Sequence, residues 1–323
     1  MSEPGTPQAP RRAALTFIFV TVVLDMLALG MVVPVLPHLI EDFLGGDIPR
    51  AAQLVGLFST VWAVMQFFSM PVMGALSDRF GRRPVILLSN FGLGLDYVLM
   101  ALAPTLSWLF VGRLISGVTA ASVSTSMAYV ADVTPPERRA QSFGFVGVAF
   151  GVGFVLGPAI GGLLGSVDPR LPFWAAACAS LLNAAYGFFI LPESLAPEKR
   201  RAFEWRRANP LGSLRFLRAH REVFALAGAA FLSNLTHAVL PAVFVLYAAY
   251  RYGWDEKAVG LALAGVGISS ALVQGALVGP LVRRFGERRV MIGGLLAGTA
   301  GFMLYAFAPT GLWFVAAIPI VGL

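Results

Sequence analysis

Three ionisable residues lie where water is scarce. Asp25, Asp96 and Arg113 each fall inside a long run of apolar residues, and a charge at the centre of a membrane helix costs on the order of 2.5 to 3.5 kcal/mol on insertion scales. Such a residue needs a partner, a wet cavity or a function. Burial and a nearby guanidinium act on a carboxyl proton in opposite senses, so alternating exposure can switch its occupancy. Asp25 is therefore the candidate for proton coupling, with Arg113 as a guanidinium that could act on it, and a fixed salt bridge or a substrate-orienting carboxylate is the alternative for Asp25. Asp96 and Arg113 occur at similar depths in consecutive runs joined by a short loop at Pro104, which makes them one possible pair. Asp25 with Arg113 is the competing pair.

Other polar residues in apolar runs suit hydrogen bonding to a small molecule. Gln66, Asn234, His237 and Gln274 are the candidates, together with Asn90 and Asn183, although for His237 an ordinary hydrogen-bonded helix residue is the plainer reading. Gly74-Ala-Leu-Ser-Asp78-Arg79-Phe80-Gly81-Arg82-Arg83 has a different chemistry. Gly74 permits close helix contact, Asp78 can cap or pair at a helix end, Gly81 allows a tight turn, and Arg79, Arg82 and Arg83 can engage carboxylates. Asp132 ends the fourth apolar run and can latch onto this loop, or both can simply be solvated. Gly153, Gly157, Pro158, Gly161 and Gly162 form a small-residue stripe suited to close helix packing, with a bend at the proline. Enzyme chemistry is not indicated: there is no nucleotide loop, metal-ligand cluster or Ser/His/Asp constellation. The single cysteine, Cys178, excludes an internal disulfide.

These residues must be positioned by membrane helices. The chain is 57% hydrophobic and 13% charged, far from a soluble domain. A span needs roughly 20 apolar residues to cross ~30 Å of hydrocarbon. Runs at 13–37, 51–73, 84–103, 107–130, 140–165, 171–191, 223–249, 257–281 and 290–308 are long enough. A tenth run begins at Gly311 and reaches the last residue, Leu323, too short to span, so the sequence reads as interrupted there. No removed signal peptide is expected, and the first run stays as a span.

The net charge of +7 is explained by topology. Of the 24 Lys and Arg, 19 fall in the N-terminal tail and in the stretches 79–83, 138–139, 192–222 and 283–289. The alternating loops hold only Arg50, Arg170, Arg251 and Lys257, with Arg113 inside a run. By the positive-inside rule the N-terminus is cytoplasmic, and a nucleic-acid partner loses its support. The organisation expected is a cytoplasmic tail (1–12), a six-helix bundle (13–191), a cytoplasmic linker (192–222) and a partial second bundle (223–323) with three complete spans and part of a fourth. The halves repeat in parallel: Val55-Gly56-Leu57 corresponds to Val259-Gly260-Leu261, and GALSDRFGRR from Gly74 corresponds to GPLVRRFGER from Gly279.

The Gly74 to Arg83 loop resembles the signature between the second and third helices of the major facilitator superfamily, and GFVLGPAIGG in span five resembles the motif of its proton-coupled drug antiporters. Leu24-Asp25, Val33-Pro34-Val35-Leu36-Pro37, Asp96-Tyr97, Gly112-Arg113, Ala128 to Asp132 and Leu191-Pro192-Glu193-Ser194 are similar to the tetracycline/proton antiporter branch. The resemblance implies an all-α integral membrane protein with two six-helix halves in parallel repeat, the second half truncated here. It also implies alternating-access efflux of a small amphipathic drug-like compound from a multi-pass position in the inner or plasma membrane, with protons as the coupling ion and no cofactor or metal. Partners would be the small-molecule substrate and membrane lipid, with no oligomer required. Asp96 would sit at the entrance or touch substrate, and Arg113 would tune a nearby carboxylate. One departure stands out: tetracycline exporters carry a functional acid in span nine, where this chain has Leu296-Ala297-Gly298-Thr299-Ala300-Gly301-Phe302. A non-transporting sensor, or a structural remnant, is the alternative reading.

Overall fold

Apolar surroundings force every backbone N–H and C=O to find an internal partner, and a helix provides this within one segment. The computed structural model, which describes residues 8–205, 208–209, 221–238 and 243–321, is helical throughout, with no strand among the described residues. Span one runs over Gln8–Val32, turns at 33–35 where Pro34 cannot donate a helical hydrogen bond, and resumes as Leu36–Phe43. Spans two and three are Ile48–Phe80 and Arg82–Leu102. Span four is broken into Leu106–Thr119 and Ser122–Val133. Spans five and six are Arg139–Gly165 and Leu171–Ile190.

In the second half, Arg221–His237 and Val245–Tyr252 belong to span seven. Span eight runs from Glu256–Leu272 through a π-helical turn at Val273–Leu277 into Val278–Phe285, and span nine is Glu287–Phe307. Gly311–Val321 is the described part of span ten. Seven helical segments are long and apolar enough to cross a membrane, namely spans one to six and span nine. Spans seven and eight, expected as continuous apolar runs, fall outside that group: their described α-helical pieces are short, because span eight changes helix type midway.

The repeat is visible in the backbone. Gly81 and Gly286, 205 residues apart, end spans two and eight in the same positive-φ conformation, at φ 106°, ψ 161° and φ 82°, ψ 154°. At the other end of the same two spans, Asp47 caps Arg50 N–H and Asp255 caps Ala258 N–H.

Lipid supplies no hydrophobic drive between helices, so association rests on close packing, and small residues make that possible. Span five is the pillar. A Cβ at Gly157 would lie 2.7 Å from Gly30 Cα and one at Gly161 would lie 2.6 Å from Met31 Cα, so span one presses directly on this face. Gly153 meets Met26 and Val23 in the same way. On its other side span five touches the second half, with Gly162 against Gly260 and Val155 against Gly267. Toward its start the contacts thin out: Gly144, Gly147 and Gly151 meet nothing within 4 Å among the described residues, and Phe145 and Val148 are 62% and 58% exposed. The halves therefore meet at the end opposite the N-terminus and part toward the N-terminal end. The first-half core lies among Met31, Val35, Ile40, Met100, Leu109 and Phe173, while Phe244, Tyr305 and Phe314 stack in the second half.

Candidate functional site

Asp25 and Thr21 lie one turn apart on the same face of span one, a placement fixed by their four-residue spacing. Asp25 is 5% exposed and Thr21 fully buried. Two neutral side chains hold the carboxylate. Ser122 Oγ donates to Oδ2 at 2.6 Å, and Asn183 Nδ2 donates to Oδ1 at 3.1 Å and to the Thr21 carbonyl at 3.3 Å. Ser122 is where the span-four helix restarts, so the break delivers its hydroxyl to span one. Asn183 comes from the buried face of span six. Asn183 was legible as a polar residue in an apolar run. Ser122 was not singled out, although the cluster Ser122, Ser124, Thr125 and Ser126 was a usable signal.

Neither expected ion pair closes. Among the described residues no Lys or Arg nitrogen lies within 4.0 Å of Asp25 or Asp96. Arg113 is 8% exposed and its Nη2 lies 3.7 Å from Met100 Sδ. Asp96 packs on span four, where a Cβ at Gly112 would stand 2.9 Å from its Oδ1. Both Asp96 carboxylate oxygens are buried without a protein hydrogen-bond partner. At 1% exposure Asp96 is enclosed within the first bundle in this conformation.

The second cluster lies where spans two, four and six end and span three begins, and joins the Gly74 to Arg83 loop with Asp132. Arg82 Nη1 pairs with Asp78 Oδ1 at 2.6 Å and donates to Ser77 Oγ at 2.6 Å, while its Nε reaches Asp132 Oδ2 at 3.1 Å. Glu193, which the sequence reading did not place in the site, is the hub of this network. Its Oε1 accepts from Arg82 N–H at 2.8 Å and from the N–H groups of Ser194 and Leu195 at 3.0 Å; its Oε2 accepts from Arg83 N–H at 3.3 Å. A carboxylate there satisfies orphan donors at the positive end of span three. Gly81 makes room for it, since a Cβ at that position would run into the Glu193 carboxylate. Ser194 Oγ adds a bond to Asp132 Oδ2 at 3.3 Å, and the Arg83 guanidinium donates to Phe188 O at 2.6 Å. Arg79 lies instead over the Phe80 ring, 5.0 Å from its centroid.

The remaining candidates do not join Asp25. Gln66 is half-buried on span two, and Asn234 is exposed and bonds its own helix at Ala230 O, 2.8 Å away. The side chains of His237 and Gln274 lie outside the described residues. The glycines and Pro158 of span five sit at helix contacts, as their spacing implied, with Pro158 O directly beneath Gly260.

The family model described as Major Facilitator Superfamily matches residues 18–323. The class C tetracycline resistance protein of Escherichia coli is 43% identical over 298 residues, covering 92% of this chain and 74% of that protein. The class G tetracycline resistance protein of Vibrio anguillarum is 38% identical, covering 94% of this chain and 76% of that protein. Among solved structures, the human organic anion transporter MFSD10 superposes with a TM-score of 0.72 at 27% identity, covering 98% of this chain and 85% of that one.

Proposed function

The chain belongs to the Major Facilitator Superfamily, and from that premise we propose that it exports a small amphipathic drug-like compound in exchange for protons. Membership together with likeness to tetracycline resistance proteins makes it a multi-pass membrane transporter of the drug-efflux kind, and the non-transporting alternative is not favoured. The proton-coupled reading rests on one observation: Asp25 is buried and, among the described residues, held by the hydroxyl of Ser122 and the amide of Asn183 with no cation beside it. A salt bridge would lock the carboxylate in its charged form. A hydroxyl can donate to the ionised acid or accept from the protonated one, so the Ser122 bond survives proton exchange. With the N-terminus cytoplasmic, as the basic loops suggest, the parted ends of the two halves open toward the cytoplasm, where an exporter loads its cargo. Rocking of the halves about the span-five and span-eight contact then exposes the site to the other side.

The relatives' names point to tetracyclines as the first compounds to try, while the acid-free span nine separates this chain from that branch at one position. The experiment is an accumulation and resistance screen of tetracyclines and other planar amphipathic compounds, comparing the full-length protein with Asp25→Asn. Efflux of one compound class that disappears in Asp25→Asn is expected. Unchanged proton-driven efflux in the variant rejects the assigned role of Asp25.

A further inference from the structure

The first bundle contains many buried polar atoms without a hydrogen-bond partner among the described residues, and they recur at successive levels. Close helix contacts fix the levels. Asp96 of span three lies against Gly112 of span four, Gly92 lies against Thr119, Gly94 lies against Leu181 of span six, and Leu87 lies against Gly187. Interpolating along these antiparallel pairs puts Asn90 level with both Ser122 and Asn183, the two donors to Asp25. Six residues separate Asn90 from Asp96, about 9 Å at the α-helical rise. Ser116 and Ser180 fall between those levels on spans four and six.

At every level a polar atom is enclosed without a protein partner among the described residues. These are both carboxylate oxygens of Asp96, Ser116 Oγ, Ser180 Oγ, both amide atoms of Asn90 and, beside Asp25, Asn183 Oδ1 and Thr21 Oγ1. Each of these residues is at most 3% exposed. Burying one such group with nothing to bond costs about 1 to 3 kcal/mol, which makes eight such atoms at neighbouring levels of one bundle costly to keep dry. The span-four helix also opens at Thr119–Ser122, level with Asp25. Broken backbone at membrane depth is stable where protein or water meets its freed groups.

We propose that spans one, three, four and six enclose a file of bound water that carries protons between Asp96 and Asp25, inside the first bundle and apart from the space between the halves. The inference rests on the proton-coupled reading and names the route by which Asp25 exchanges its proton. Hydroxyls and water both donate and accept, so a proton entering at one acid is passed along and another leaves at the far acid, with no net change in the chain. The ionisable side chains facing these levels are Asp25, Asp96, Tyr97 and Arg113. Spans two and five, packed on spans four and one, contribute no Asp, Glu, Lys, Arg, His or Tyr between 51 and 77 or between 140 and 165.

The test is Asn90→Leu, similar in volume and unable to hold water, in the full-length protein reconstituted into liposomes containing a pH-sensitive dye. Proton-coupled transport should slow by about tenfold, the effect of losing one bridging site, while substrate counterflow, which needs no net proton movement, slows far less. Asn90→Ser, which keeps a hydrogen-bonding group, should restore most of the proton flux. If Asn90→Leu loses counterflow as well, the double variant Ser116→Ala/Ser180→Ala, which removes two hydroxyls and no packing volume beyond them, decides by the same criterion. Normal proton flux in the variant that retains counterflow overturns the route. Asp25→Asn separates the two claims: coupling lost there but normal in Asn90→Leu rejects only the water file, whereas coupling intact in Asp25→Asn rejects the reading beneath it.

Discussion

At the scale of single residues, the Glu193 network gives a comparison that the repeat itself supplies. Gly81 and Gly286 occupy the same backbone region, at φ 106° and 82°, so an alanine at either should cost about 1 to 2 kcal/mol in backbone strain. Only Gly81 has a carboxylate against the position of the missing Cβ; around Gly286 nothing lies within 4 Å. Gly81→Ala must therefore also displace Glu193 from the start of span three, adding about 1 kcal/mol for the lost cap. Thermal unfolding in detergent should show a larger fall in Tm for Gly81→Ala than for Gly286→Ala. Equal falls would mean the Glu193 contact contributes nothing to stability. Asp25 shows the complementary lesson in recognition: its burial was legible from its place in an apolar run, but its partners were not. An arginine in a neighbouring run was the obvious counter-ion, and the structure uses uncharged donors that composition gives no reason to prefer.

At the scale of helices, the sequence made the number and positions of the spans of the first half plain, because each is a long apolar run bounded by loops. What it concealed are the two irregularities inside spans. The break at Thr119–Ser122 falls in Gly-Val-Thr-Ala-Ala-Ser, with no proline to announce it, and the π-turn at Val273–Leu277 falls in an equally ordinary apolar stretch. The glycines of span five were read as one packing stripe, and the structure divides them by what they touch. Gly161→Val would drive two methyls into the Met31 backbone and should prevent folding, seen as lost monodisperse protein on size exclusion. Gly147→Val meets open space in this conformation, so it should fold with wild-type Tm. If the parted ends must close during the cycle, Gly147→Val should nonetheless lower transport several-fold. Wild-type transport in Gly147→Val would show that this face never packs.

At the scale of the whole molecule, contact between the halves at one end and separation at the other is the arrangement an alternating-access cycle requires of one of its end states, and it can be read chemically. The lone cysteine, Cys178, is exposed, so Cys178→Ala provides a silent background. Val155 Cβ lies 3.5 Å from an ideal Cβ at Gly267, within the range a disulfide spans, so Val155→Cys with Gly267→Cys should cross-link rapidly in resting membranes. Gly144 and Val278 are each eleven residues further along the same antiparallel pair, about 16 Å toward the N-terminal end. Gly144 has no neighbour there, and Val278 is 37% exposed. Gly144→Cys with Val278→Cys should therefore cross-link slowly at rest and faster when substrate and a proton gradient drive the cycle, as the first pair becomes slower. Opposite responses of the two pairs are the signature of rocking about span five. Equal resting rates, or rates that ignore substrate and gradient alike, would mean that the opening between the halves is a fixed feature of the fold and takes no part in moving cargo.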